Sequence, residues 1–105
     1  MNEFFADLSR RWRKAAARRG VDIAPPDLDP SVAEQLLELA RVVAHSKERR
    51  FAPLASFTAG IAAERLRVAK GVKPEDIAAF VREVREELER ALPPAEAERR
   101  DTEPR

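Results

Sequence analysis

With 105 residues, 20 basic side chains against 19 acidic ones and no cysteine, the chain is sized for one domain with a modest single core. The near-cancelling charge excludes an overall polyelectrolyte, and the missing thiols exclude disulfides and thiolate metal sites and point to a cytosolic setting. The longest uncharged stretch, thirteen residues from Phe51 to Ala63, is shorter than the about 20 residues that span a bilayer.

The N-terminus, MNEFFADLSRRWRK, places its charges after the apolar residues and does not have the layout of a signal peptide. Residues 3–19 carry Phe4, Phe5, Leu8, Trp12 and Ala15 or Ala16 at helical spacing, which predicts an amphipathic helix with Trp12 in its core stripe. Gly20 is its expected stop. Arg10, Arg11, Arg13, Lys14, Arg18 and Arg19 crowd into the same segment. Arginines with an interleaved tryptophan have the make-up of a nucleic-acid face. The register of Trp12 instead assigns the ring to the core and the arginines to a solvated back, so nucleic-acid binding through Arg10, Arg11, Arg13, Lys14 and Arg18 is the alternative reading, not the leading one.

VDIAPPDLDP, residues 21–30, holds three prolines and three aspartates and reads as a linker. Asp29-Pro30 is a helix start, and Val32, Leu36, Leu39, Ala40 and Val43 give residues 30–45 one apolar face that Leu37 widens. SKERRFA connects to a third helix opened by Pro53. Over 53–69, Leu54, Phe57, Ile61 and Leu66 form one stripe and Ala55, Ala59 and Ala63 a second, small one. A helix apolar or small on almost every side is expected to be surrounded. Gly71 caps it. Pro74-Glu75-Asp76 starts a fourth helix, 74–92, with Ile77, Phe80, Val81, Val84, Leu88 and Leu92 inward and Arg85–Glu89 among its outer ion pairs. The remainder, 93–105, lacks any aliphatic side chain larger than alanine and is expected to be disordered. The expected fold is thus all-α: a compact four-helix bundle over 1–92, with a central apolar third helix and a disordered C-terminal tail.

The chemistry-bearing residues concentrate at the second connection. His45 is the one histidine. Without a second imidazole or a thiolate it makes no zinc site, and adjacent Ser46 makes no nucleophile pair with it. Glu48 and Arg49 suit either a salt bridge or an anionic partner. Phe51 stands outside every helical stripe, beside Arg50, and an aromatic with arginines is the usual composition of an interface anchor. Paired carboxylates such as Glu34 with Glu38 and Glu83 with Glu87 sit among basic neighbours as solvated helix faces. No nucleophile, base and oxyanion donors assemble, so neither catalysis nor a bound cofactor or metal is expected.

At LLELARVVAHSKERRFAPLASFTAGIAAER, residues 36–65, the chain resembles an uncharacterised family of small helical domains that occur alone or attached to the molybdenum cofactor guanylyltransferase. The matching pattern includes Leu36, Leu39, Arg41, Val43, His45, Glu48, Arg49, Pro53, Leu54, Phe57, Gly60 and Ala63. Arg50-Phe51 departs from it, standing where members carry small residues or proline. The resemblance implies a non-enzymatic accessory domain near molybdenum cofactor assembly. It adds weight to His45, Glu48 and Arg49, beside which Arg50 and Phe51 complete the expected contact for a protein partner, such as a molybdenum cofactor biosynthesis enzyme. Self-association through the small-residue face of the third helix, giving a homodimer, is a related expectation, and no membrane contact is expected.

Overall fold

A computed structural model describes residues 2–91, and the expected tail 93–105 lies outside them. The fold is all-α, with helices α1 (Glu3–Arg18), α2 (Pro30–Ser46), α3 (Phe51–Lys70) and α4 (Pro74–Ala91), and no strand among the described residues. The chain divides into two compact units, one ending at Pro30 and one beginning at Ser31.

In the first unit, Asn2 caps α1: its side chain accepts from the Phe5 N–H at 3.2 Å, satisfying one of the orphan donors of the first turn. The helix ends in a Schellman motif. Gly20 takes φ of +80°, its N–H donates to the Ala17 carbonyl, and the Val21 N–H donates to that of Ala16. Glycine accepts that left-handed turn without a Cβ penalty.

In the second unit, α2 begins at Pro30, α3 stops at Gly71 (φ +63°), and α4 begins at Pro74, as the proline and glycine positions predict. Asp76 reaches back from the first turn of α4 to accept from the Lys73 N–H at 3.0 Å, half of a capping box. The core comes from α2 and α4. Leu39, Val43 and Val81 form its centre, with Leu36, Ala55, Ala59, Phe80 and Leu88 packed against them.

Two expectations are corrected here. No residue of α3 is buried, so α3 is not the surrounded helix. It contributes the half-buried Ala55 and Ala59 to the core, while Leu54, Phe57 and Ile61, the stripe expected to point inward, are exposed. Small residues let the α3 backbone lie close to the α4 side chains, and the large ones are left on the far side of the helix. Trp12 is the second correction: it is 56% exposed, not core.

Candidate functional site

The sequence-predicted contact residues do fall together at the α2–α3 turn. His45, half-buried, and the buried Ser46 end α2. The Lys47 N–H still donates to the Val43 carbonyl at 2.9 Å, so the helical path carries into the turn. The chain then turns tightly. The Phe51 N–H donates to the Glu48 carbonyl at 3.0 Å and the Ala52 N–H to that of Arg49 at 3.1 Å, both three residues back. This winding starts α3 at Phe51, two residues before the expected start at Pro53. Proline is tolerated there because the N–H it lacks would have had no intrahelical acceptor in the first turn.

Phe51 is therefore the first residue of α3 and not a loop residue, and it stands 41% exposed. Glu48 pairs with Arg50, whose Nε donates to its carboxylate at 2.5 Å. The bridge lies within the turn, and Arg49 between its two partners is exposed. Both partners of the bridge are more than half exposed, so its contribution to stability is small. The turn offers one carboxylate, cations and an aromatic, a set suited to holding another surface and not to making or breaking bonds. Among the described residues no cluster of His, Cys, Asp and Glu could hold a metal ion.

Beyond the turn, α3 presents a ridge of Leu54, Phe57, Ile61 and Val68, of which Phe57 and Val68 are 69% and 70% exposed. At 100° per residue the four fall within about 60° of one another. On its inner side the helix lines an apolar cleft of about 280 Å³ whose walls include Leu39, Ala55, Ala59, Ala62, Phe80 and Leu88. The exposed ridge is the feature that sequence reasoning missed. The alanines at 55 and 59 carried the signal, because a helix with one small stripe and one large one can bury either.

On α1, four of the five predicted nucleic-acid residues converge. Arg10, Arg11, Lys14 and Arg18 surround a recess of about 230 Å³ together with Asp7. Arg13 is not among them and lies 3.6 Å from Asp22. Asp7 accepts from Arg11 Nε at 2.7 Å and sits 3.6 Å from Arg10. The hydrogen bond from Arg11, reinforced by both guanidinium charges, holds the Asp7 carboxyl below the usual carboxylate range, and the same bond raises Arg11. A depressed carboxyl stabilises the folded helix above its unfolded pKa, and that contribution is lost as pH falls through the lower folded value. Asp7 should accordingly titrate at lower pH in the wild-type chain than in Arg11→Gln, followed by carboxyl carbon NMR; equal midpoints would remove the hydrogen bond as the cause. Trp12 borders a different recess, of about 170 Å³, with Phe5, Leu28 and Pro26 of the linker. The buried Ser9 hydroxyl lines it too and has no hydrogen-bond partner.

A family model described as Domain of unknown function (DUF6457) matches residues 6–101. The chain belongs to this family. The DUF6457 match covers the turn, the ridge and the basic recess alike, and extends well beyond the residues 36–65 on which the resemblance first rested. No curated protein and no solved structure matches the chain.

Proposed function

We propose that this DUF6457 chain is a non-catalytic protein-interaction domain that docks a partner on the α2–α3 turn. The observation that supports the reading most is Phe51, 41% exposed at the head of α3 and flanked by the exposed Arg49 and Arg50. Burying an aromatic ring on an ordered turn costs little conformational entropy, because the backbone hydrogen bonds already fix where it points. Arg49 supplies planar recognition of a carboxylate at the rim. The resemblance of residues 36–65 supports a partner in molybdenum cofactor assembly, the guanylyltransferase being the first to test, in the cytoplasm. No helix among the described residues is long and apolar enough to cross a membrane.

The test is binding of purified guanylyltransferase to wild-type and Phe51→Ser chains by calorimetry. Phe51→Ser should weaken binding at least tenfold, the scale of a hot-spot side chain, while the melting temperature moves by only a few degrees. A sharp fall in melting temperature would make Phe51 structural, and unchanged affinity would move the contact elsewhere.

A second reading, nucleic-acid binding by α1, is favoured by one observation: Trp12 is exposed and not in the core, on the same helix as the four converging cations. That reading requires affinity that falls steeply with salt and is lost when Arg10 and Arg11 become Glu.

A further inference from the structure

The positive charge of the chain sits on α1. Five cations against Glu3 and Asp7 give that helix +3, while the chain as a whole carries +1. Four of the five gather at the recess, where Asp7 is paired with Arg10 and Arg11. At 100° per residue Arg10, Arg11, Lys14 and Arg18 fall within about 100° of one another. Next to this arc, beginning about 20° beyond Arg11, runs a strip of Phe4, Leu8 and Trp12 at four-residue spacing. The linker residues Pro26 and Leu28 close on the other flank, where Ser9 is buried, and leave Phe4 66% and Trp12 56% exposed.

We infer that α1 is an interfacial helix that lays this strip on an anionic lipid surface, with its cations against the headgroups. Such a helix carries Trp, Phe and Leu along one side and Lys and Arg on the adjoining polar side, and lies in the plane of the interface without spanning it. Its overall hydrophobicity is low, as in α1, where seven of 16 residues are charged. Trp12 suits the boundary, because the indole has an apolar body and one N–H for the headgroup layer. Arginine and lysine reach headgroup phosphates while their methylene stems stay on apolar surface.

Charge selects the occupant. A neutral bilayer would take the strip and give the cations nothing, whereas an anionic one adds about fivefold in partitioning for each Lys or Arg near its surface. A nucleic acid is anionic too, but a strand held by its phosphates and stacked by its bases needs cations and aromatic on one side. Trp12 stands about 100° or more round the helix from each of the four cations. That separation matches a flat partner with an apolar layer beneath a charged one. The α2–α3 turn belongs to the other compact unit, so this contact and the docked protein partner use different side chains.

Trp12 is the one tryptophan and the chain has no tyrosine, so its fluorescence reports the strip without background. The full chain is titrated with vesicles of phosphatidylglycerol and phosphatidylcholine in equal parts, and with phosphatidylcholine alone. The emission should move to shorter wavelength with the first and stay in place with the second. The shift should fade as salt rises from about 0.1 to 1 M, which shortens the screening length from about 10 to 3 Å. Lys14→Gln should weaken vesicle binding about fivefold. Phe4→Ser keeps every charge and the Trp12 probe, and should weaken it about fivefold or more through the lost apolar contact. Both variants should keep the helical circular dichroism. An emission unmoved by the anionic vesicles would overturn the proposal, as would an equal shift with phosphatidylcholine alone or undiminished binding by both variants. A shift produced by a single-stranded oligonucleotide and not by vesicles would overturn it too, and assign the face to nucleic acid.

Discussion

Leu39→Ala lowers the unfolding free energy of the α2–α4 unit by about 2–3 kcal/mol, the lower part of the range for truncating a buried leucine. Leu39 is 5% exposed and forms the core centre with Val43 and Val81. The transfer cost of the lost methyl groups applies in full at such a burial. The cavity cost does not, because Leu39 also walls the apolar cleft beside α3, and the new void opens into space that already exists. Against a total stability of about 5–15 kcal/mol, a loss of this size should lower the melting temperature by roughly 10 °C or more. Urea unfolding checks it. A loss under about 1 kcal/mol would mean that the cleft wall collapses onto the truncated site and that Leu39 is not the centre of the core.

Two glycine-to-alanine changes on one helix should have opposite signs. Gly71 sits at φ of +63°, where a Cβ is strained whatever the surrounding space. Gly71→Ala should cost about 1–2 kcal/mol, the penalty of a left-handed alanine. Gly60 lies inside α3, and an added Cβ there meets nothing within 4 Å. Gly60→Ala should raise stability by up to about 1 kcal/mol through helix propensity alone. The pair thus spans about 1–3 kcal/mol for one methyl group each, and thermal unfolding of the two variants side by side reads it. A destabilised Gly60→Ala would show that the backbone at that position is approached by something the free chain does not contain.

Local chemistry made much of the fold legible. Pro30 and Pro74 mark the starts of α2 and α4, and Gly20 and Gly71 mark stops, because the orphan backbone groups at helix ends are satisfied within a few residues. Most of the inner faces of α2 and α4 also followed from spacing, since each has one broad apolar stripe and a charged back, but Leu37 and Val84, expected on those stripes, are exposed. Orientation of α3 did not follow. Its stripes Leu54, Phe57, Ile61 and Ala55, Ala59, Ala63 are both compatible with burial, and the choice between them is made by how closely Phe80, Val81 and Leu88 of α4 approach. Trp12 failed for the same reason: register places a residue on a face, and only packing decides whether the face is covered. At the candidate site, the gathering of His45, Glu48, Arg49, Arg50 and Phe51 was legible because they are neighbours in sequence. The partner of Glu48 was not, because residues two apart pair only where the backbone turns, as it does at Glu48 and Arg50.

The connections of the second unit are short: 47–50 join α2 to α3, and 71–73 join α3 to α4. The packing of Ala55 and Ala59 against Val81 therefore joins consecutive helices across a small loop that takes little entropy to close, while Leu39 and Val43 meet Val81 only after the whole of α3 has intervened. Low contact order of this kind places helical domains among the fastest folders, on the scale of microseconds to milliseconds. Synthesis proceeds at about 5–20 residues per second, so each helix has ample time to find its predecessor before the next is complete. The ribosome, and not the search for native contacts, then sets the pace at which the α2–α4 unit acquires its core.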